Sequence, residues 1–193
     1  LFSNSTNDQT NIIYNGTDHI GAIDGESAKL LIENSKIKGN IGVKKSTVEC
    51  KNSILKGVLH AIECDSVHSR NSEHLVDGIQ CPIILENTKK CDISSSKIES
   101  TISTPHIQTK SDKNCKLNLK GVDFTDTTEE NSFLACIETE GKGETVCQVG
   151  GCSSKRSKFL SAKSVQEGKS KTTFSRNCQF GIDGLDPTVD GEV

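Results

Sequence analysis

The 193-residue chain has no Trp, no Met, a single Tyr, six Phe and three Pro. With aromatics at 4% and hydrophobic residues at 32%, it lacks the bulk to fill a compact two-layer core. It has no apolar run near the ~18 residues that a membrane-crossing helix needs, so membrane insertion is not expected. It also lacks a charge excess: the net charge is −3, and the basic stretches 110–116 and 153–158 are short and interrupted. Nucleic acid is therefore not an expected partner, because binding it calls for a basic face and usually aromatic platforms. Disorder would explain low hydrophobicity, but disordered chains are poor in β-branched residues and here Ile, Val and Thr are plentiful. Because Met is absent even at the start, the expectation is a mature product from which an export signal has been removed.

What the chain does contain is a repeat. An aliphatic stretch, a small polar corner and a further aliphatic or small stretch recur seven times: LLIENSKIKG from Leu30, VECKNSILKG from Val48, VHSRNSEHLVDG from Val67, CDISSSKIES from Cys91, LNLKGVDF from Leu117, CQVGGCSS from Cys147 and TFSRNCQFG from Thr173. The corners Asn34, Asn52, Asn71, Ser95, Gly121, Gly151 and Asn177 are 18, 19, 24, 26, 30 and 26 residues apart. Repeats of this length signal stacked units that bury a common core only by lying on one another. Within them, Leu117 and Leu119 alternate with Asn118 and Lys120, the two-residue period of a strand. A second set of small residues, Ala22, Val43, Ala61, Pro82, Pro105, Ala135 and Ala162, keeps pace with the corners. No 3.6-residue apolar stripe is long enough for a helix.

This predicts an all-β chain with a polar arm over 1–18, a solenoid over 19–183 and an acidic tail over 184–193. The arm holds one apolar island, Ile12-Ile13-Tyr14, which reads either as part of a flexible segment or as a strand that pairs with something. The polar inserts 109–114, 125–131, 140–144 and 165–171 lengthen the later coils, and are the places where a binding face would be built.

The segments LIENSKI (Leu31 to Ile37) and FSRNCQF (Phe174 to Phe180) resemble the coils of right-handed parallel β-helix proteins, the superfamily of pectate-lyase-like enzymes and surface-protein passenger regions. The resemblance covers about 19 to 183 and implies a right-handed β-solenoid of about seven coils. It identifies an architecture, not an activity.

The enzymatic members of that superfamily supply motifs to look for. Polygalacturonase-like sites use an Asp pair, Asn-Thr-Asp, Gly-His-Gly and Arg-x-Lys; only Arg156-Ser157-Lys158 matches. Pectate-lyase-like sites need several calcium-binding carboxylates and a base. Asp123, Asp126, Glu129 and Glu130 cluster in sequence but without ordered spacing. The histidines His60, His68 and His74 fall together around the third coil, with His68 outward and His74 where other coils have Ile or Phe. No catalytic residue, cofactor or metal ligand is assigned.

The nine cysteines include no C-x₂-C pair, so a structural role is expected of them. Cys152 and Cys178 follow the corner in consecutive coils and are expected to touch. Cys91, Cys115 and Cys147 each open a strand, placing Cys115 beside one of the other two as a disulfide or thiol stack. An odd count leaves one thiol for another chain or free. Asn4 and Asn15 head glycosylation sequons.

The function expected from all this is structural: a non-enzymatic exported β-solenoid of an extracellular coat, fibre or wall, associating with itself or with another extracellular structural protein. The alternative is a surface adhesin or carbohydrate-binding β-helix, and after it a polysaccharide lyase or hydrolase.

Overall fold

The computed structural model describes residues 10–76, 80–100, 105–126, 135–140, 143–154, 158–165, 169–174, 178–180 and 188–190. All regular structure among them is β, in three sheets of eight strands each. The first sheet runs Thr10–Asn15, Ala28–Glu33, Thr47–Lys51, Ser66–Arg70, Lys90–Ser94, Cys115–Lys120, Glu144–Gly150 and Lys169–Phe174. The second runs Asp18–Ile20, Lys36–Lys38, Ile54–Lys56, Glu73–Val76, Lys97–Ser100, Asp123–Asp126, Ser153–Ser154 and Gln179–Phe180. The third runs Ile23–Glu26, Ile41–Lys44, Leu59–Ile62, Ile83–Glu86, Ile107–Ser111, Ala135–Glu140, Lys158–Val165 and Thr188–Asp190.

The chain visits the sheets in strict rotation, and every strand pairs in parallel with the strands one rotation before and after it. This topology is compatible with a solenoid: each backbone N–H and C=O within a strand is met by the neighbouring strand, so short strands suffice. The rotation starts inside the polar 1–18 segment, where Thr10–Asn15 pairs residue for residue with Ala28–Glu33. At the other end Thr188–Asp190, inside the acidic tail, pairs with Lys158–Val165 through an irregular register.

Alternation decides which side chains enter the core. In the first sheet Ile12, Leu30, Val48, Val67, Cys91, Leu117 and Cys147 form one inward row. In the second, His19, Ile37, Leu55, His74, Ile98, Phe124 and Ser154 form another. The third contributes Ile23, Ile41, Leu59, Ile83 and Ile107. These rows meet in one continuous apolar cluster, with Ile12, Tyr14 and Cys178 packed against it.

The second small-residue register does not run as the sequence suggests. Val43, Ala61 and Ala162 do share a row, but its other members are Gly25, Leu85, Thr109 and Ile137. Ala135 lies opposite Ile107, in a different row. Small residues and prolines mark where a strand begins, and the number of residues between that entry and the pleat differs from coil to coil.

The corners between the first and second sheets are backbone features. Asn34, Asn52, Asn71 and Ser95 have φ of 48° to 50°, and Gly121 and Gly151 have 59° and 60°. Asn177 lies outside the described residues. A left-handed residue turns the chain sharply, and Asn and Gly are the residues that adopt it at least expense. A second left-handed corner, between the third and first sheets, is made by Ser27, Lys45, Glu63 and Asn87. The turn from the second sheet to the third is tighter still: a Cβ on Gly39 would stand 2.1 Å from the Gly21 carbonyl oxygen.

Candidate functional site

Behind the first corner lies a buried polar ladder. The N–H groups of Thr17, Ser35, Ser53 and Ser72 donate to the Oγ of Ser35, Ser53, Ser72 and Ser96 in the following coil, at 3.1 to 3.3 Å. Each of those hydroxyls in turn donates to the carbonyl two residues earlier in its own coil, at 2.7 to 2.9 Å. A hydroxyl can both accept and donate, so one Ser satisfies two backbone groups that the corner leaves over. On the surface above it, Asn52 Nδ2 donates to Asn34 Oδ1 (3.2 Å) and Asn71 Nδ2 to Asn52 Oδ1 (3.3 Å). The corner residues Asn34, Asn52 and Asn71 thus act along the stack.

The cysteines also lie on the scaffold. Cys152 and Cys178 immediately precede the paired residues Ser153 and Gln179, so they continue the serine row one coil apart. Burial pushes the Cys152 thiol up to about 11, with the nearby Cys178 adding to the effect. The grouping of Cys91, Cys115 and Cys147 needs correction in register. Cys91 and Cys147 both align with Leu117, one coil to either side of it, while Cys115 enters two residues earlier, opposite Thr145. The extra residue pair at the start of Cys115–Lys120 shifts the first cysteine by one pleat. Cys115 is still near enough that its charge opposes ionisation of the other two, after burial as the main cause. Burial also raises Cys115, to about 11, and raises Cys50 and Cys64. Thiols held protonated in this way are poor nucleophiles at neutral pH. The side chain of Cys136 is outside the described residues, as is Asn4; Asn15 is exposed on the first strand.

The three clustered histidines face three ways. His74 points into the core, nearly inaccessible at 1%, with its Nε2 2.8 Å from Ser69 Oγ. Desolvation lowers its pKa to about 4. His68 stands on the outer face of the first sheet, its Nδ1 3.0 Å from Asp92 Oδ2. His60 stands on the outer face of the third sheet, its Nε2 3.0 Å from Glu86 Oε1. Sequence proximity therefore does not become a site here, because the chain turns between each pair.

Two outer faces carry groups that sequence reading did not bring together. On the first sheet, Glu49, His68, Asp92, Asn118 and Gln148 form one outward column, each three residues before its corner. Counting back from the corners would have found them. Lys29 and Lys51 pair with Glu49 at 3.4 and 3.9 Å, and Lys90 with Asp92 at 2.6 Å. Asn118 donates to the other oxygen of Asp92. Partial burial opposes the Asp92 charge, but the bonds and charges of Lys90, Asn118 and His68 outweigh it and hold its pKa below the usual value. The carboxylates here are already engaged, in a shallow depression of about 310 Å³.

On the third sheet, Asp24, Gly42, His60, Ile84 and Gln108 share an outward column. They line a groove of about 470 Å³ together with Asn40, Val58, Gln80, Cys81 and Pro105. Gly42 makes the dip: a Cβ there would stand 2.8 Å from Asp24 Oδ1, so the carboxylate lies across the glycine. Among the described residues, no group of three or more His, Cys, Asp or Glu is placed to hold a metal ion. Of the sequence-stretch carboxylates, Asp123 accepts from Ser153 Oγ at 3.1 Å, whereas Glu129 and Glu130 lie outside the described residues, as does the Arg156-Ser157 part of the Arg-x-Lys match.

Comparison with protein families, with curated proteins and with solved structures finds no match for this chain.

Proposed function

We propose that the chain is a right-handed parallel β-helix, its eight-stranded sheets giving one turn more than the seven corners suggest, exported from the cell, that serves as a structural scaffold and associates with copies of itself or another extracellular structural protein. One observation carries the reading: polar groups are used along the stack. Glu49 and Asp92 are engaged by neighbours in adjacent coils, and the Ser35–Ser53–Ser72–Ser96 ladder joins coil to coil. A scaffold needs that continuity, whereas an acid–base site needs two uncommitted carboxylates or a base held for a substrate. Export is supported by the exposed Asn15 sequon. Among the described residues no cysteine pair is joined as a disulfide; Cys152 and Cys178, on strands one spacing of ~4.8 Å apart, are the pair that oxidation could join. The groove on the third sheet is the observation behind the alternative, a ligand-binding surface protein.

The experiment is sedimentation velocity over a hundredfold concentration range, with and without reductant, alongside a screen for degradation of acidic and neutral polysaccharides. Growth of the sedimenting species with concentration and no degradation is the expected result. A strict monomer in both conditions overturns the assembly role, and chain cleavage of any glycan overturns the non-enzymatic one.

A further inference from the structure

We propose that the groove on the outer face of the third sheet is a binding site for an aliphatic ammonium group. Three observations converge on it. The Asp24 carboxylate is folded across Gly42, so the charge lies over the floor of the groove. Among the described residues, no Lys or Arg lines the groove and Asp24 has no cation partner. The groove's apolar lining includes Val58, whose N–H donates to Asn40 Oδ1, and, beyond His60, Ile84 and Pro105; His60 is already held through Nε2 by Glu86.

A carboxylate at one end of a groove of mixed lining, with apolar side chains farther along it, selects a ligand with a charged head and a hydrocarbon stem, which is the chemistry of a lysine side chain or a short diamine. On the first sheet, by contrast, Glu49 and Asp92 each have a lysine beside them. Gly42 has a specific part: any side chain would fill the trough and push the carboxylate outward. Its column neighbours Asp24 and His60 are each one strand spacing away, so the carboxylate folded over Gly42 and an ammonium head beside it share a gap of about 9–10 Å between the two flanking backbones.

The test is a titration of the ¹⁵N-labelled chain with cadaverine and separately with Nα-acetyl-lysine methylamide, using 1-pentanol as the neutral control. Expected are saturable amide shifts centred on Gly42, His60 and Gln108, with a dissociation constant on the order of millimolar for so small a ligand. Tighter binding of the blocked lysine points to a peptide-borne source, tighter binding of cadaverine to a free amine; either supports the site. Asp24→Asn is expected to weaken binding about three- to tenfold, as loss of a charge-assisted bond does. Gly42→Ala, which requires no unusual backbone, is expected to weaken it as well while leaving the circular dichroism spectrum unchanged. Pentanol binding as tightly as cadaverine, shifts scattered over other carboxylates, or an unchanged affinity in folded Asp24→Asn would each overturn the proposal.

Discussion

The coils built on Asn34, Asn52 and Asn71 and those built on Gly121 and Gly151 make the same left-handed corner with different chemistry. In the earlier coils the corner is followed by Ser35, Ser53 and Ser72, whose hydroxyls take an N–H from the coil before and give a proton to their own coil. In the later coils the same position holds Val122 and Cys152, both buried; the Cys152 thiol reaches the Gly150 carbonyl only at 3.5 Å. The core rows change in parallel, from His74 bonded to Ser69 in the third coil to Phe124 in the fifth. Stacked parallel strands tolerate this because each layer answers only to its neighbours. The backbone path is common property, and the means of satisfying it is local.

The largest expected break in this comparison is at Gly39, in the short early coils. Gly39→Val would place a Cβ 2.1 Å from the Gly21 carbonyl oxygen, at a φ of 150° that branched residues do not adopt. This variant is expected to fail to fold, read as loss of the β signal in far-ultraviolet circular dichroism. Gly16→Ala, where no atom lies within 4 Å of the new Cβ, is expected to lose only about 1–2 kcal/mol for its left-handed φ of 62°.

Next in size is an acid effect confined to the earlier coils. His74 has a folded pKa of about 4 against an ordinary 6.5, so the fold holds it neutral. Stability is complete above pH 6.5, falls as pH drops because the unfolded chain takes up the proton first, and stops falling below about pH 4. The full loss is about 3 kcal/mol. Urea denaturation between pH 7 and 4 is expected to show this slope in the natural chain and to lack it in a His74→Phe, Ser69→Ala double variant, which copies the apolar character of the later coils. An unchanged slope would assign the acid sensitivity elsewhere. Asp92, whose pKa is depressed, contributes stability that is lost in a separate window, below its usual pKa.

The smallest difference sharpens the comparison most. Ser72→Ala removes the acceptor of the buried Ser53 N–H and is expected to lose about 1–3 kcal/mol. Under reducing conditions Cys152→Ser makes the later corner resemble the earlier one and is expected to change stability by less than about 1 kcal/mol. Equal losses at the two positions, measured by urea denaturation, would show that the ladder is not what separates the two regions.

Much of the architecture is legible before any coordinates. The corner spacing identifies stacked parallel strands, and the alternation around Leu117 and Leu119 assigns inward and outward faces. His68 outward and His74 in an aliphatic row follow from the same count. The second marker was misleading because Ala22, Pro82, Pro105 and Ala135 sit at strand entries, where a shift of one or two residues goes unmarked by hydrophobicity. Cys115 misled for the same reason: an aligned CKL and CDI look alike, yet the added pleat places Leu117 between Cys91 and Cys147.

The groove was not legible. Asp24, Gly42, His60 and Gln108 lie in four different coils of unequal length, and nothing in their sequence neighbourhoods distinguishes them from other exposed positions. Local sequence by itself determined the corners, because a left-handed backbone restricts the residue at one position, and the strands, because a period of two needs only near neighbours. Only tertiary structure decided which outward residues became neighbours, because register between coils is set by hydrogen bonds across the stack and by turn lengths that local pattern does not encode.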